Sequence, residues 1–390
     1  MRVTHVITRL VVGGAQENTL TTVLGLRREP DVEAALISGP TAGREGSLEP
    51  SVRQAGIDFQ LVPELVRPVH PLKDLIALRK LTRILRNQAP HIVHTHSGKA
   101  GVLGRLAAHR AGVPIIIHHI HGPSFGPFQG PLVNWTLRSA EQCAARVTTH
   151  FVCSADAMTR LYRAAGIGDQ TQYTRVFSGF DLEPYLSATN DPALRSELGL
   201  DADAFVMGKL ARLAPLKGHD DLLEALGCIL PECPKARLLF VGGGQRREQI
   251  ESRAARMGLD RKVVFTGLVT PESVPRYVGI MDCLAHLSSR EALSRALPQA
   301  LAAGKPVVAY DFDGADEVCL EGKTGFLVRT GDVTTASARL LQLAHDRALR
   351  DQLGSCGQQF VRGNFSSAAL VKTLLNLYRR LMSESGIPWT

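Results

Sequence analysis

The chain has 390 residues, 44% of them hydrophobic and 21% charged, with a formal net charge of +8. That length exceeds one ordinary core and implies two domains of roughly 180–200 residues. The composition excludes a disordered chain, and the absence of any apolar run of about 18 residues excludes a membrane-spanning helix.

The first stretch, MRVTHVITRLVVGGAQE, has an arginine inside its apolar run and a Gly-Gly turn where a cleavage site would stand. It reads as a first strand, not a signal peptide. Beyond it, short apolar, β-rich runs alternate with helix-length segments. Strands are predicted at 2–8, 33–38, 58–62, 91–95, 114–118 and 147–152, and again at 205–209, 237–241, 262–266, 282–286, 306–310 and 326–328. Such alternation means parallel sheets with helices on both faces. The expected fold class is α/β: two facing, doubly wound, Rossmann-like domains with a cleft between them, and ligands beyond the C-terminal strand ends. The expected domains are 1–180 and 181–365. Segment 366–390 holds an amphipathic helix, with Leu370, Leu374, Leu377 and Leu381 at helical spacing, expected to pack back towards the N-terminal domain.

Charge is unevenly divided. Residues 1–180 carry 20 Lys and Arg against 12 Asp and Glu, together with ten of the thirteen histidines, whereas residues 181–390 carry 25 of each sign. A local basic field suits an anionic partner, or simply keeps the surface soluble. On the helix predicted over 71–87, Arg79, Arg83 and Arg86 form a stripe opposite Leu78, Leu81 and Leu85. That stripe fits anionic lipid heads as well as plain solvation. Aromatic residues make up only 5% and no binding motif is present, so nucleic acid is not expected. Seven cysteines, an odd number without Cys-x-x-Cys, read as free thiols of a reducing cytoplasm. The expected location is cytoplasmic, with peripheral contact at the inner membrane face open.

Several stretches carry candidate chemistry. In RLVVGGAQENTL, Gly13-Gly14 ends a strand and opens a helix, where backbone N–H groups can approach phosphate or sugar. Turn sterics alone also explain glycine there. HIVHTHSGKAG and IIIHHIHGPSF place His94 with His96, and His119 with His121, on common strand faces. Two His-x-His pairs invite zinc, but no Cys or carboxylate cluster accompanies them, so no metal is expected. His121, just before Gly122-Pro123, is the histidine aimed into the cleft. GKLARLAPLKGHDD delivers Arg212 and Lys217 to a strand end, a cation pair suited to a diphosphate or to solvent. The glycines of FVGGGQRREQIE permit close backbone approach to a ligand.

A further stretch, SSREALSRALPQALAAGKPVV, puts Glu291 before a helix predicted to start near Ala292. The backbone N–H groups of Leu293 and Ser294 are then open to phosphate or sugar, and Gln299 lies two turns along. Glu291 is equally readable as a partner of the helix dipole. In YDFDG, Asp311 and Asp313 form an Asp-x-Asp of the kind that can hold a divalent ion, read here as turn residues.

Taken together, GGAQE, HTHSGKAGVLGRLAA, HIHGPSF, LARLAPLKGH, LLFVGGGQRREQIE, VVFTG and REALSRALPQALAAGKPVVAYDFDGADEV resemble, in order and over essentially the whole chain, the retaining glycosyltransferases of family 4, which have the GT-B fold. The resemblance implies a nucleotide sugar, UDP- or GDP-linked, on the C-terminal domain and a glycan or lipid-linked acceptor on the N-terminal one, in cell-surface polysaccharide or glycolipid synthesis, without metal or other cofactor. Carried over by position, Arg212 and Lys217 are the diphosphate clamp. Glu291 is the first glutamate of Glu-x7-Glu, with the Leu293 and Ser294 amides beside it. His121 is the histidine near the reacting carbon, and Gly13-Gly14 the loop near phosphate or acceptor. The second glutamate falls on Gln299, and Ala292 and Ser294 replace the commoner Gly and Pro. That departure leaves two alternatives: a non-catalytic sugar-nucleotide-binding subunit, and a sugar-nucleotide 2-epimerase.

Overall fold

The computed structural model describes residues 1–41, 46–126 and 128–388. The chain divides into two compact units, Met1–Phe180 with Ser366–Thr390, and Asp181–Phe365. The last two positions of segment 366–390 lie outside the described residues.

Unit 1 is built on seven strands: β1 (Arg2–Ile7), β2 (Glu33–Ser38), β3 (Asp58–Leu61), β4 (Ile92–His96), β5 (Ile115–Ile120), β6 (His150–Cys153) and β7 (Tyr173–Arg175). They pair in parallel in the order β3-β2-β1-β4-β5-β6-β7. Six of them lie at the apolar runs. β7 was not expected, because three residues reading Tyr-Thr-Arg give no apolar run. Unit 2 has β8 (Phe205–Leu210), β9 (Ala236–Val241), β10 (Val263–Gly267), β11 (Cys283–His286), β12 (Val307–Asp311) and β13 (Gly325–Arg329). Their order is β10-β9-β8-β11-β12-β13, again all parallel. Both sheets are the doubly wound α/β type, and each reverses strand order once, at β1/β4 and at β8/β11. The loops leaving those four strands are where such folds bind ligands.

The helix Ser367–Glu384 starts where the Ser366 side chain accepts the Ala369 N–H, capping its first turn. Its buried face, Leu370, Leu374, Leu377, Tyr378 and Leu381, joins Val3, Ile7, Ile92, Ile117 and Val152 in one core. Each buried leucine contributes about 1.5–3 kcal/mol, so this helix is integral to unit 1. It approaches closely enough that a Cβ on Gly25 would stand 2.2 Å from Val371 Cγ2. Helix Gly98–Ala111 lies tight against β4 and β5 for a similar reason. A Cβ on Gly101 would stand 2.4 Å from His118 Cε1, and one on Gly104 2.8 Å from Thr95 Cγ2. Among the described residues no helix is long and apolar enough to cross a membrane.

Candidate active site

In unit 2 the loops after β8 and β11 are fastened together. Leu216 and Gly218 both have positive φ, 65° and 72°. A Cβ on Gly218 would stand 1.7 Å from the Leu287 carbonyl oxygen, so only glycine lets the backbones pass. The Ser289 N–H donates to Leu216 O at 3.0 Å. This contact carries Lys217 to Glu291: its ammonium pairs with the Glu291 carboxylate and donates to the Arg290 carbonyl at 3.2 Å. Arg212 lies exposed on the same loop, five residues before Lys217.

The helix after Glu291 begins at Ala296, not near Ala292. Pro298 explains the correction. Proline has no N–H to give to Ser294 O and is tolerated only in a first turn, so the helix is Ala296–Ala302. Glu291, Leu293 and Ser294 therefore stand on a loop, not on the first turn, and Gln299 does not share a helix with Glu291. What positions the loop is Asp313. Its Oδ2 accepts the Glu291 N–H at 2.9 Å, and Gly314 N–H donates to Ala292 O at 3.0 Å. Burial, together with the nearby Glu291 charge, raises the Asp313 carboxyl to about 6, against the bond from the Glu291 N–H, which lowers it. Asp313 has φ 51°, and its carboxylate is committed to this backbone contact. Among the described residues the Leu293 and Ser294 N–H groups have no acceptor in the chain, and the half-buried Gln299 side-chain amide has no partner.

Sequence reasoning missed Lys209. It lies fully buried on β8, with Nζ 2.9 Å from Ser288 Oγ and 3.3 Å from His286 Nδ1. Ser288 Oγ in turn lies 3.4 Å from the Lys217 carbonyl, so Lys209 underpins the same loop pair. Burial pulls its ammonium down to about 7. The available signal was a lone lysine inside the apolar run FVMGKL. The glycines of FVGGGQ have a different task from the one expected. A Cβ on Gly242 would stand 2.3 Å from Ala211 O, and one on Gly244 2.3 Å from Leu213 O. They admit the chain's own backbone.

In unit 1 Gly13 precedes the helix Gly14–Leu26, whose first turn has no side-chain cap. Gly13 is extended, with φ 169°, so its conformation does not demand glycine. His121 follows β5 and is half-buried. It belongs to a nest of imidazoles. His96 Nδ1 lies 2.9 Å from His121 Nε2, and His96 Nε2 lies 2.9 Å from His5 Nδ1. The rings of His119 and His121 stack at 3.8 Å, and His94 Nδ1 meets the Tyr378 hydroxyl at 2.6 Å. Sequence spacing paired the histidines of β4 and β5 but did not signal His5, which β1 brings alongside because His5 sits opposite His94 in the parallel register. Burial pushes His5 and His121 down to about 3 and the other three well below the usual imidazole range, so all five rings are neutral.

The loop behind His121 is anchored by a buried ion pair. Arg105 meets the Glu141 carboxylate, whose other oxygen accepts from Ser124 Oγ at 2.9 Å. Both charged residues are fully enclosed, and removing either partner of such a pair costs about 3–5 kcal/mol.

Comparison with known proteins agrees with this architecture. Residues 13–176 match the glycosyl transferase 4-like domain and residues 190–360 the glycosyl transferases group 1. The chain is 27% identical over 321 residues to the UDP-Gal:alpha-D-GlcNAc-diphosphoundecaprenol alpha-1,3-galactosyltransferase of Escherichia coli, covering 81% of this chain and 82% of that one. It is 30% identical over 272 residues to the GDP-mannose-dependent alpha-(1-6)-phosphatidylinositol monomannoside mannosyltransferase of Mycolicibacterium smegmatis, covering 68% and 69%. The crystal structure of Anabaena HepE in complex with UDP-glucose superimposes with a TM-score of 0.81 at 24% identity, over 97% of this chain and all of that one. With two doubly wound sheets and both family signatures in sequence, the chain belongs to the group 1, family 4-type glycosyltransferases of GT-B fold.

Proposed function

We propose that this glycosyltransferase moves a sugar from a UDP- or GDP-sugar to a glycan or lipid-linked acceptor with retention of anomeric configuration and without a metal. The observation that carries the reading is the pairing of Lys217 with Glu291 on the two loops of the unit 2 switch point. It sets a phosphate-binding cation beside a carboxylate able to accept from two sugar hydroxyls. In the proposed reaction the bond from the anomeric carbon to the diphosphate oxygen breaks and the nucleoside diphosphate leaves with the electron pair. Arg212 and Lys217 take up the growing charge, joined by the free Leu293 and Ser294 N–H groups. The acceptor hydroxyl attacks from the same face, and its proton passes to the departing phosphate oxygen. Glu291 holds the sugar and Gln299 the ribose. The family resemblance assigns His121 to the neighbourhood of the reacting carbon and Gly13-Gly14 to that of acceptor or phosphate.

The Escherichia coli relative, by its name, acts on a sugar-diphosphoundecaprenol, which supports a polyprenyl-diphosphate acceptor here. Peripheral contact with anionic membrane is part of the same reading. Arg79 and Arg83 are exposed on helix Pro71–Gln88, and Leu72, Leu132 and Trp135 also face solvent, whereas Arg86 donates to the Arg110 carbonyl. Salt-sensitive sedimentation with anionic vesicles is expected; binding indifferent to anionic lipid would remove this part.

The deciding experiment is turnover of UDP- and GDP-sugars with a polyprenyl-diphosphate glycan, with the product linkage read by NMR. An α-linked product from an α-linked donor is expected. Donor binding without hydrolysis or transfer would favour a non-catalytic subunit, the reading that Gln299 favours, and interconversion of the donor sugar a 2-epimerase.

A further inference from the structure

We propose that His96, His119 and His121 form a site for one divalent transition-metal ion, of which Zn2+ best suits three imidazole ligands. Each ring offers one nitrogen within 4.8 Å of the other two. A Zn–N distance of about 2.0–2.1 Å sets tetrahedral nitrogens about 3.3 Å apart. His96 Nδ1 and His121 Nε2, now 2.9 Å apart, would open by a few tenths of an ångström, and ring rotation closes the wider gap.

Two observations favour an ion there. Among the described residues His119 Nδ1 is buried without a hydrogen-bond partner, and an orphaned buried nitrogen calls for a water or an ion. The far nitrogens of two rings are already held: His119 Nε2 lies 3.3 Å from Ser154 Oγ, and His96 Nε2 lies 2.9 Å from His5 Nδ1. Outer partners of this kind orient metal-binding histidines.

A second triplet, His5, His94 and His96, is equally close, but all three rings are fully enclosed. His121 is half-buried. It gives the chosen triplet both a route of entry and an open fourth position, where a bound hydroxide or phosphate offsets the ion's charge.

The site stands without the proposed transfer reaction, and an ion on His121 would withdraw that ring from it. Zn2+ is therefore expected to inhibit turnover, and chelation to leave it intact.

The test is metal binding by the chelator-stripped full chain, read by equilibrium dialysis with Zn2+ and by the visible absorption of bound Co2+, so it does not depend on activity. One ion per chain is expected at micromolar Zn2+. Ser154→Ala should weaken binding about tenfold and His119→Gln should abolish it, while His94→Gln should stay within about threefold of the natural protein. Thermal melts establish that each variant is folded; if His119→Gln is not, Ser154→Ala decides. No ion on the folded natural protein, or a loss in His94→Gln matching that in Ser154→Ala and His119→Gln, overturns the site.

Discussion

The carboxylate of Asp313 accepts the backbone N–H of Glu291 at 2.9 Å, so an acid on the loop after β12 fixes the residue proposed to hold the donor sugar. Asp313→Asn retains an acceptor oxygen and tolerates the left-handed backbone, and should change the donor KM less than threefold. Asp313→Ala removes a bond to a charged group, about 1.5–3 kcal/mol, and should weaken kcat/KM at least tenfold. Steady-state kinetics of both variants checks this; equal losses would mean that Asp313 acts by charge.

Lys217→Ala should lower kcat about 100- to 1000-fold, the scale of removing one group that stabilises developing charge. Its partner Glu291 is partly exposed (28% of its side chain), so the melting temperature should move little. Near-normal turnover in a folded variant would remove the clamp role.

Gln299→Glu restores charge to a side chain that has no partner among the described residues. Exchanging a neutral hydrogen bond for a charge-assisted one is a difference of about 1 kcal/mol, so donor affinity by calorimetry should rise several-fold. A fall would mean that Gln299 meets a group other than ribose hydroxyls.

Lys209 sets a pH window. Its folded value, about 7, lies below the ordinary 10.5, so the unfolded chain binds this proton more tightly. Its contribution to stability is present above pH 10.5 and is lost as pH falls towards 7, a difference on the order of a few kcal/mol. Lys209→Met abolishes that dependence. The variant's melting temperature relative to the natural protein should therefore be higher at pH 7.5 than at pH 9.5. An unchanged difference would mean that the lysine stays charged in the fold.

The sheets were legible because buried parallel strands are written as apolar runs. β7 was not, because three mixed residues at an edge leave no such trace. Among the candidate site residues, Lys217 and Glu291 announced themselves by standing in loops just past strands. The helix start was misread: Pro298 cannot sit deeper than a first turn, so the helix begins at Ala296 and not near Ala292. Lys209 and His5 stayed hidden because one polar residue inside an apolar strand gives no periodic signal. Its meaning comes from neighbours that only pairing of the strands brings alongside.

Unit 2 is one uninterrupted stretch, whereas unit 1 is assembled from chain on both sides of it. During translation the apolar face of β1 and β4 therefore waits for its covering helix while Asp181–Phe365 is made, about 10–40 s at roughly 5–20 residues per second. The nascent chain carries that sticky surface throughout the interval. Holdase chaperones should accordingly engage ribosome-bound chains stalled before Ser366 and release those extended past Glu384.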